Sequence, residues 1–429
     1  MTAIESHHTR GRIEEPFILT AMLSLLGGTL WMWVRHRQFL EYFYSPELLA
    51  LTHVITLGFT TSLMMGVLLR LAPMSLEVSP RSTRLARAQF VLFFVGAAGM
   101  VFHFWIAEWN GLTWATLLLL AAAIVQLYNF SAILRRVLDG DWVARYAASS
   151  MVYLILAATL GVLLGFNKAL DSETGFLPGK FSSNLFAHIH LAGIGWVTMM
   201  IFGFQLKLVP TTKGSVRSLP IRFGLLQVGT IGLVGTLLAD VSGQGAFALL
   251  LLVAIAWHAW GPVRAFVSGG AREWEVVPLL ILCGVAIAGV LLAWGVPPPE
   301  SALRIRVQFA YAYAGLLGWI ALTITTVAFK LFPIWVWQER FQPDYGKIPV
   351  PGMKALYNHR LRALSNVLLT AGVLATVAGI LSVRGVILFV SLGLVFGGVV
   401  CFVINFFLMA RWALLKVEYH APPEQETGW

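Results

Sequence analysis

The chain has 429 residues, of which 58% are hydrophobic and 12% are charged, about half the charged fraction of a soluble globular protein. Apolar runs long enough to cross a bilayer as helices recur from end to end, which excludes a soluble fold and a β-barrel. The net charge of +10 lies mainly in the loops between these runs, where it indicates membrane orientation rather than nucleic-acid binding. The sequence therefore predicts an all-α polytopic membrane protein.

Twelve apolar segments are predicted to cross the membrane, and we number them spans 1 to 12. Lys and Arg cluster in the loops after spans 2, 4, 6 and 10, whereas the opposite loops carry most of the acidic residues. Because short cationic loops stay in the cytoplasm, this pattern predicts cytoplasmic tails, 1–16 and 412–429. We expect one integral membrane domain, 1–429, in a bacterial inner membrane. The predicted spans are roughly 17–34, 48–72, 88–107, 112–134, 145–166, 184–209, 220–240, 245–267, 276–296, 306–332, 361–383 and 386–411.

One stretch of sequence occurs three times, on spans 2, 6 and 10. Its copies share an early glycine, then a cation followed by leucine, and a final proline. This spacing predicts three pseudo-symmetric four-helix arcs, roughly 17–134, 145–267 and 276–411, with the repeat helix second in each. We expect the glycines to allow close helix packing, the cations to reach water and the prolines to end the helices. The copies run from His53 to Pro73, from His190 to Pro210 and from Tyr313 to Pro333, with glycines Gly58, Gly195 and Gly318 and cations Arg70, Lys207 and Lys330.

Five histidines lie inside the predicted spans, where an ionisable side chain is costly and is therefore a functional candidate. His53, His103, His188 and His190 fall in the outer part of the bilayer, whereas His258 lies about midway along span 8 and its role stays open. His188 and His190 point about 200° apart around their helix, so they can serve two pockets. Since His53 and His190 share one repeat position, we expect them to ligate one heme from its two sides. The alternative is that these histidines are packed and hydrogen-bonded to hydroxyls or carbonyls.

The span number, the arcs, a histidine on span 2 and an H-x-H followed by glycine and proline resemble one family. It is the heme-copper oxidase superfamily, which includes the nitric oxide reductases, and the chain is similar to its catalytic subunit I. The resemblance implies that His53 holds a low-spin heme b. There are clear departures, because Tyr311 and Tyr313 stand on span 10 where the family has H-x-H. That motif lies instead on span 6, as His188 and His190, and span 7 has no histidine, so copper is not expected.

Two arrangements of the cofactor site remain open. In the preferred one, a heme lies between His53 and His190, while His188 and His103 serve a second heme or metal, or support the first. In the other, span 6 takes the part of span 10, so that His188 binds a heme and His53 with His103 forms a depleted metal site. The resemblance suggests Arg384 as a partner of the heme propionates, and Arg304 and Arg306, at the outer start of span 10, are further candidates. The alternative for each is an anchor at the membrane interface.

The resemblance implies a membrane electron-transfer subunit of a respiratory chain, with one or two b-type hemes. It would pass electrons between quinol or a cytochrome, such as cytochrome c, and a partner subunit in the membrane or periplasm. Whether the chain is itself an enzyme stays open. One alternative is a divergent terminal oxidase or nitric oxide reductase with an unusual metal site. Another is a non-redox protein that handles heme or copper or senses a gas. No nucleic-acid partner is expected.

Overall fold

The computed structural model describes residues 12–41, 44–170, 176–214, 216–269 and 273–414, so most of both predicted tails lies outside the described residues. Within these ranges the protein is helical and has no strand, and twelve helices are long and apolar enough to cross a membrane. The predicted all-α polytopic fold is thus confirmed. Spans 1 to 12 are Glu15–Val34, Pro46–Leu76, Thr83–Trp105, Trp109–Asn129, Trp142–Ala169, Phe181–Leu208, Val216–Leu238, Gln244–Val267, Glu275–Ala293, Ala302–Arg340, His359–Ser382 and Gly385–Ala413. Short helical segments between them include His36–Leu40, Ile133–Leu138, Pro210–Thr212, Gln342–Asp344 and Met353–Leu356.

The three arcs form a closed ring around the repeat helices. Successive helices pack within each arc, and the arcs meet where span 4 packs on span 5, span 8 on span 9, and span 12 on span 1. Spans 2, 6 and 10 meet at the centre, around an apolar cavity of about 80 Å³. Equivalent residues of the three repeats, Leu68, Gln205 and Ala328, all line this cavity. The cavity therefore marks the pseudo-threefold axis.

The repeat glycines lie against the first helix of their own arc. A methyl group added to any of the three would come within 2.8 Å of a side chain on span 1, 5 or 9. Such an approach is possible only without a β-carbon, so the predicted close packing is confirmed. The contacts are Gly58 with Ser24, Gly195 with Tyr153, and Gly318 with Ile281.

The repeat prolines do not all end their helices. The prediction holds for span 6, whose α-helix ends at Leu208. It is wrong for spans 2 and 10, which continue past Pro73 and Pro333. A proline removes only one backbone hydrogen bond, and in span 10 the Phe332 ring packs on Trp335, beyond the proline, with centroids 5.2 Å apart. Packing on both sides therefore keeps the helix intact.

The repeat cations contact the neighbouring repeat helix instead of simply reaching water. We call this end of the bundle the proline end, and the opposite end, which carries His53 and His190, the histidine end. Arg70 and Lys330 also pair with carboxylates, since Arg70 lies 2.8 Å from Glu14 and Lys330 lies 2.6 Å from Glu275. These contacts fasten the three helices to one another. They join Lys207 to the carbonyl of Ser75, Lys330 to the carbonyl of Leu208, and Arg70 to the carboxylate of Glu339.

A π-helical segment interrupts each repeat helix at the same place. Each segment starts directly after His53, His190 or Tyr313. In a π-helix each N–H bonds to the carbonyl five residues back, which widens the turn, and such turns are frequent at functional sites. The sequence analysis did not predict these segments. They are Val54–Thr61, Leu191–Thr198 and Ala314–Ala321.

Candidate functional site at the boundaries between the repeat helices

The repeat helices meet at three boundaries, which have a common geometry. The first boundary lies between spans 2 and 6, the second between spans 6 and 10, and the third between spans 10 and 2. At each boundary, one repeat helix contributes the residue just before its π-helical segment. The next repeat helix contributes the residue that lies two positions before the equivalent of that residue. These positions are His53 and His188 at the first boundary, His190 and Tyr311 at the second, and Tyr313 and Leu51 at the third.

His53 is held firmly in one orientation. Its Nδ1 donates to the carbonyl of Leu49 at 2.7 Å, and its ring stacks on Phe104 of span 3 with centroids 4.8 Å apart. A carbonyl can only accept a hydrogen bond, so Nδ1 carries the proton and Nε2 of the neutral ring keeps its lone pair. Across the first boundary, His188 occupies the position that Tyr311 occupies opposite His190 at the second boundary.

His188 has the same tautomer, fixed by a different helix. Its Nδ1 donates to the carbonyl of Ala157 on span 5 at 3.0 Å. Its ring lies over Gly161, where a β-carbon would come within 3.1 Å of the imidazole Cε1. Within the described residues, no hydrogen bond occupies Nε2 of His53 or of His188. Both rings therefore have the arrangement typical of metal-ligating histidines, in which a backbone carbonyl orients the ring through the other nitrogen.

His190 is oriented in the same way, but its second nitrogen is occupied. Nδ1 donates to the carbonyl of Phe186 at 2.7 Å, and Nε2 accepts from the hydroxyl of Tyr311 at 3.0 Å. The structure thus brings His190 together with Tyr311, and the same spacing makes His188 the residue across the first boundary from His53. Among the described contacts, none joins His53 to His190, the pair expected from the repeat. The contact at the second boundary joins two different repeat positions, because Tyr311 lies two residues before the equivalent of His190.

A second layer of polar contacts lies below the first two boundaries. Trp196 Nε1 donates to the hydroxyl of Thr61 at 3.4 Å across the first boundary. Trp319 Nε1 donates to the hydroxyl of Thr198 at 2.9 Å across the second. The sequence analysis missed these bonds, although Trp196 and Trp319 share one repeat position. The equivalent residues at the third boundary are apolar, namely Phe59 and Ala321.

His103 lies at the histidine end but outside the boundaries. Its Nδ1 is 3.0 Å from the carboxylate of Glu108, in the turn between spans 3 and 4. Its ring fills the space over Gly111, where a β-carbon would overlap it. The amide of Gly111 donates to Glu108 at 2.7 Å and lowers the pKa of that carboxyl group. The pair of His103 and Glu108 is therefore a local contact of this turn.

The cations expected near heme propionates differ in their availability. Arg304 donates to the carbonyls of Pro297 at 2.8 Å and Leu292 at 2.9 Å, so backbone groups already engage its guanidinium. Arg306 and Arg384 are exposed at the histidine end. The sequence analysis missed an ion pair at the same end, in which Arg35 donates at 2.9 Å to both carboxylate oxygens of Glu47. This pair joins span 1 to span 2.

No protein-family model matches the chain, and no curated protein matches its sequence. Over the described part of the chain, no three His, Cys, Asp or Glu side chains are grouped closely enough to hold a metal ion by themselves. A functional proposal for the chain is consequently based on the side chains at the boundaries between the repeat helices.

Proposed function

We propose that the chain is a heme b-binding electron-transfer subunit of a bacterial inner membrane, with both termini in the cytoplasm. It carries electrons between quinol or a cytochrome and a partner subunit in the membrane or periplasm. The observation that carries the proposal is the pair of His53 and His188 at the first boundary. These side chains come from two different repeat helices, and each has a backbone carbonyl on Nδ1 and an Nε2 that forms no hydrogen bond with a described residue.

The first boundary fits a heme better than the second. A six-coordinate heme takes one imidazole nitrogen from each side, and the neutral Nε2 atoms of His53 and His188 supply two such ligands. At the second boundary, a ligand role for His190 would first require loss of its hydrogen bond to Tyr311. We therefore assign the heme to His53 and His188. The proposed cofactor is one or two b-type hemes, without copper.

When bound, the heme supplies reversible one-electron transfer, and the residues of the chain hold and orient it. The carbonyls of Leu49 and Ala157 fix the two imidazoles, and Phe104 keeps His53 from rotating. Arg306 and Arg384, exposed at the histidine end, are available to carboxylate groups there. No acid or base triad is needed, because electron transfer breaks no covalent bond.

Optical spectroscopy of the purified protein tests this proposal. We expect the reduced-minus-oxidised spectrum to show a six-coordinate b-type heme. The variants H53A and H188A should each abolish that signal, because each removes one axial ligand. The matched control is H190A, which removes an imidazole of the same membrane depth and should retain the signal.

Two results would contradict the proposal. One is a wild-type protein without heme, purified from cells whose own b-type cytochromes contain heme. The other is loss of the heme signal in H190A together with its retention in H188A. Carbon monoxide adds a second readout, since a six-coordinate heme has no open position for it. Binding of carbon monoxide to the reduced protein would favour the alternative of a gas-reducing enzyme.

A further inference from the structure

The apolar cavity at the centre of the repeat helices follows the sequence repeat position by position. Fifteen of its sixteen lining residues occupy the same five positions in each repeat, which on span 2 lie between Leu63 and Leu71. The remaining one is Phe332, which precedes the final proline of the third copy. The volume of about 80 Å³ therefore arises from the way in which the three helices meet, and not from one poorly packed side chain.

One ring of equivalent residues explains why the three helices leave a space on the axis. Leu68, Gln205 and Ala328 occupy the same position in the three repeats, and all three line the cavity. The side chain of Ala328 ends at its β-carbon. Gln205 directs its side-chain carbonyl to span 8, where it accepts a hydrogen bond from His258 Nε2 at 2.9 Å. Of the three residues, Leu68 is thus the one that offers a bulky apolar side chain to the axis, and the ring is under-filled.

The leucines that follow the repeat cations border the cavity toward the proline end. The cations themselves are not among the lining residues, since they extend to the neighbouring repeat helix or to a carboxylate. The lining therefore contains no charged side chain. The bordering leucines are Leu71, Leu208 and Leu331.

The lining offers few hydrogen-bonding partners to a water molecule. Its two polar residues are Gln205 and Thr323. His258 engages the side-chain carbonyl of Gln205, and the hydroxyl oxygen of Thr323 is buried without a described hydrogen bond, so neighbouring atoms cover it. The side-chain amide nitrogen of Gln205 is then the group left to a molecule in the cavity. Because a buried water typically makes about three hydrogen bonds, the cavity favours an apolar occupant.

We propose that this cavity binds a small uncharged gas molecule of apolar character, such as a noble-gas atom or a homonuclear diatomic molecule. A water-sized molecule needs roughly 10–15 Å³ by the same measure of volume, so a cavity of about 80 Å³ accommodates a molecule of a few atoms. Apolar ligands bind favourably to preformed, poorly hydrated pockets of this kind.

This site is additional to the proposed heme site. Between His53 and Leu63, the first lining residue of span 2, the helix rises by roughly 15 Å. The cavity therefore lies apart from the histidines of the first boundary, and its binding of an apolar gas does not depend on the heme.

Crystals of the purified full-length protein, pressurised with xenon, test this site, because xenon is apolar and scatters X-rays strongly. We expect a xenon peak on the axis, between Leu68 and Ala328, in the wild-type protein. A328L places a branched side chain in the under-filled ring and should abolish the peak. L68A enlarges the cavity and should raise the xenon occupancy.

The matched control is A371L, which makes the same substitution as A328L at an exposed alanine of span 11 and should leave the xenon peak unchanged. If A328L does not fold, L68A decides the question. The absence of a xenon peak from the wild-type cavity would overturn the proposal, as would an ordered water molecule in that place. A peak that survives in A328L, or one that L68A does not strengthen, would overturn it as well. H53A should keep the xenon peak, so the result is independent of the heme proposal.

Discussion

The first and third boundaries share one backbone but differ in chemistry. Both contain a π-helical segment in the same place, a repeat glycine and a cation that reaches across the proline end. The first boundary carries His53, His188 and the bond from Trp196 to Thr61. The third has Leu51, Phe59 and Ala321 at the equivalent positions, and Tyr313 is the polar residue among these four. The scaffold is therefore threefold, whereas the described side-chain hydrogen bonds between repeat helices lie at the first and second boundaries.

The second boundary is intermediate, and this suggests the variant with the largest expected effect. Tyr311 occupies the position that His188 occupies at the first boundary, and it faces His190. We expect Y311H to give the second boundary two imidazoles and roughly to double the low-spin heme per chain. Heme content by pyridine hemochrome assay, relative to protein, measures this change.

The control for that variant is Y313H at the third boundary. Tyr313 lies opposite the position of Leu51, so a histidine there finds no second imidazole and should leave the heme content unchanged. Equal heme content in Y311H and Y313H would show that the second and third boundaries do not differ in their ability to bind heme.

A second prediction concerns the scaffold that all boundaries share. Replacing Gly58, Gly195 or Gly318 by alanine places a methyl group within 2.8 Å of a neighbouring helix. Each change should lower the free energy of unfolding by about 1–3 kcal/mol, as overpacking does in a filled core. Chemical denaturation in detergent measures it, with G193A as control, because a β-carbon at Gly193 meets nothing within 4 Å. If G318A left the free energy of unfolding unchanged while G58A and G195A lowered it, the three repeats would not share one scaffold.

A third prediction concerns the tryptophan–threonine hydrogen bonds, which the first two boundaries have and whose equivalent residues at the third boundary are apolar. F59W buries an indole N–H opposite Ala321, which offers no side-chain acceptor, and should cost roughly 1–3 kcal/mol. A321T supplies a hydroxyl at the position of Thr61 and Thr198, so the double variant should recover part of that loss. A double-mutant cycle on unfolding free energies isolates the coupling. Additive effects of the two changes would mean that the boundaries are not equivalent in geometry.

The smallest expected effect lies outside the boundaries, at Glu108. The amide of Gly111 holds the pKa of this carboxyl group below its ordinary value of 4.5. The ionised form therefore stabilises the fold above that pH, and the contribution is lost as the pH falls through the lowered pKa. E108Q should make the melting temperature less dependent on pH in this acidic range, whereas E41Q, at an exposed residue, should not. Heme content should stay unchanged in both variants.

Much of the fold could be predicted from the sequence, because hydropathy and the repeat carry strong signals. The positions of all twelve spans follow from their apolar length, and the repeat glycines correctly indicated close packing. The π-helical segments could not be predicted. A segment of about two turns is too short for its wider period to be separated from that of an α-helix.

The pairing of the histidines could not be predicted from the repeat either. Equivalence in sequence relates His53 to His190, but the contact at the second boundary joins different positions of successive copies, His190 and Tyr311. By the same spacing, the position across from His53 is that of His188, two residues before the equivalent of His53 in the second repeat. The roles of backbone carbonyls and of Tyr311 in fixing the tautomers also depend on three-dimensional contacts, and no motif indicates them.

Density from the purified, heme-loaded full-length protein tests the central claim most directly. The proposal predicts an iron atom at the first boundary, coordinated by Nε2 of His53 on one side and Nε2 of His188 on the other. It also predicts that His190 keeps its hydrogen bond to Tyr311. An iron atom coordinated by His190, or a first boundary in which the two imidazoles pack on protein with no porphyrin between them, would contradict it.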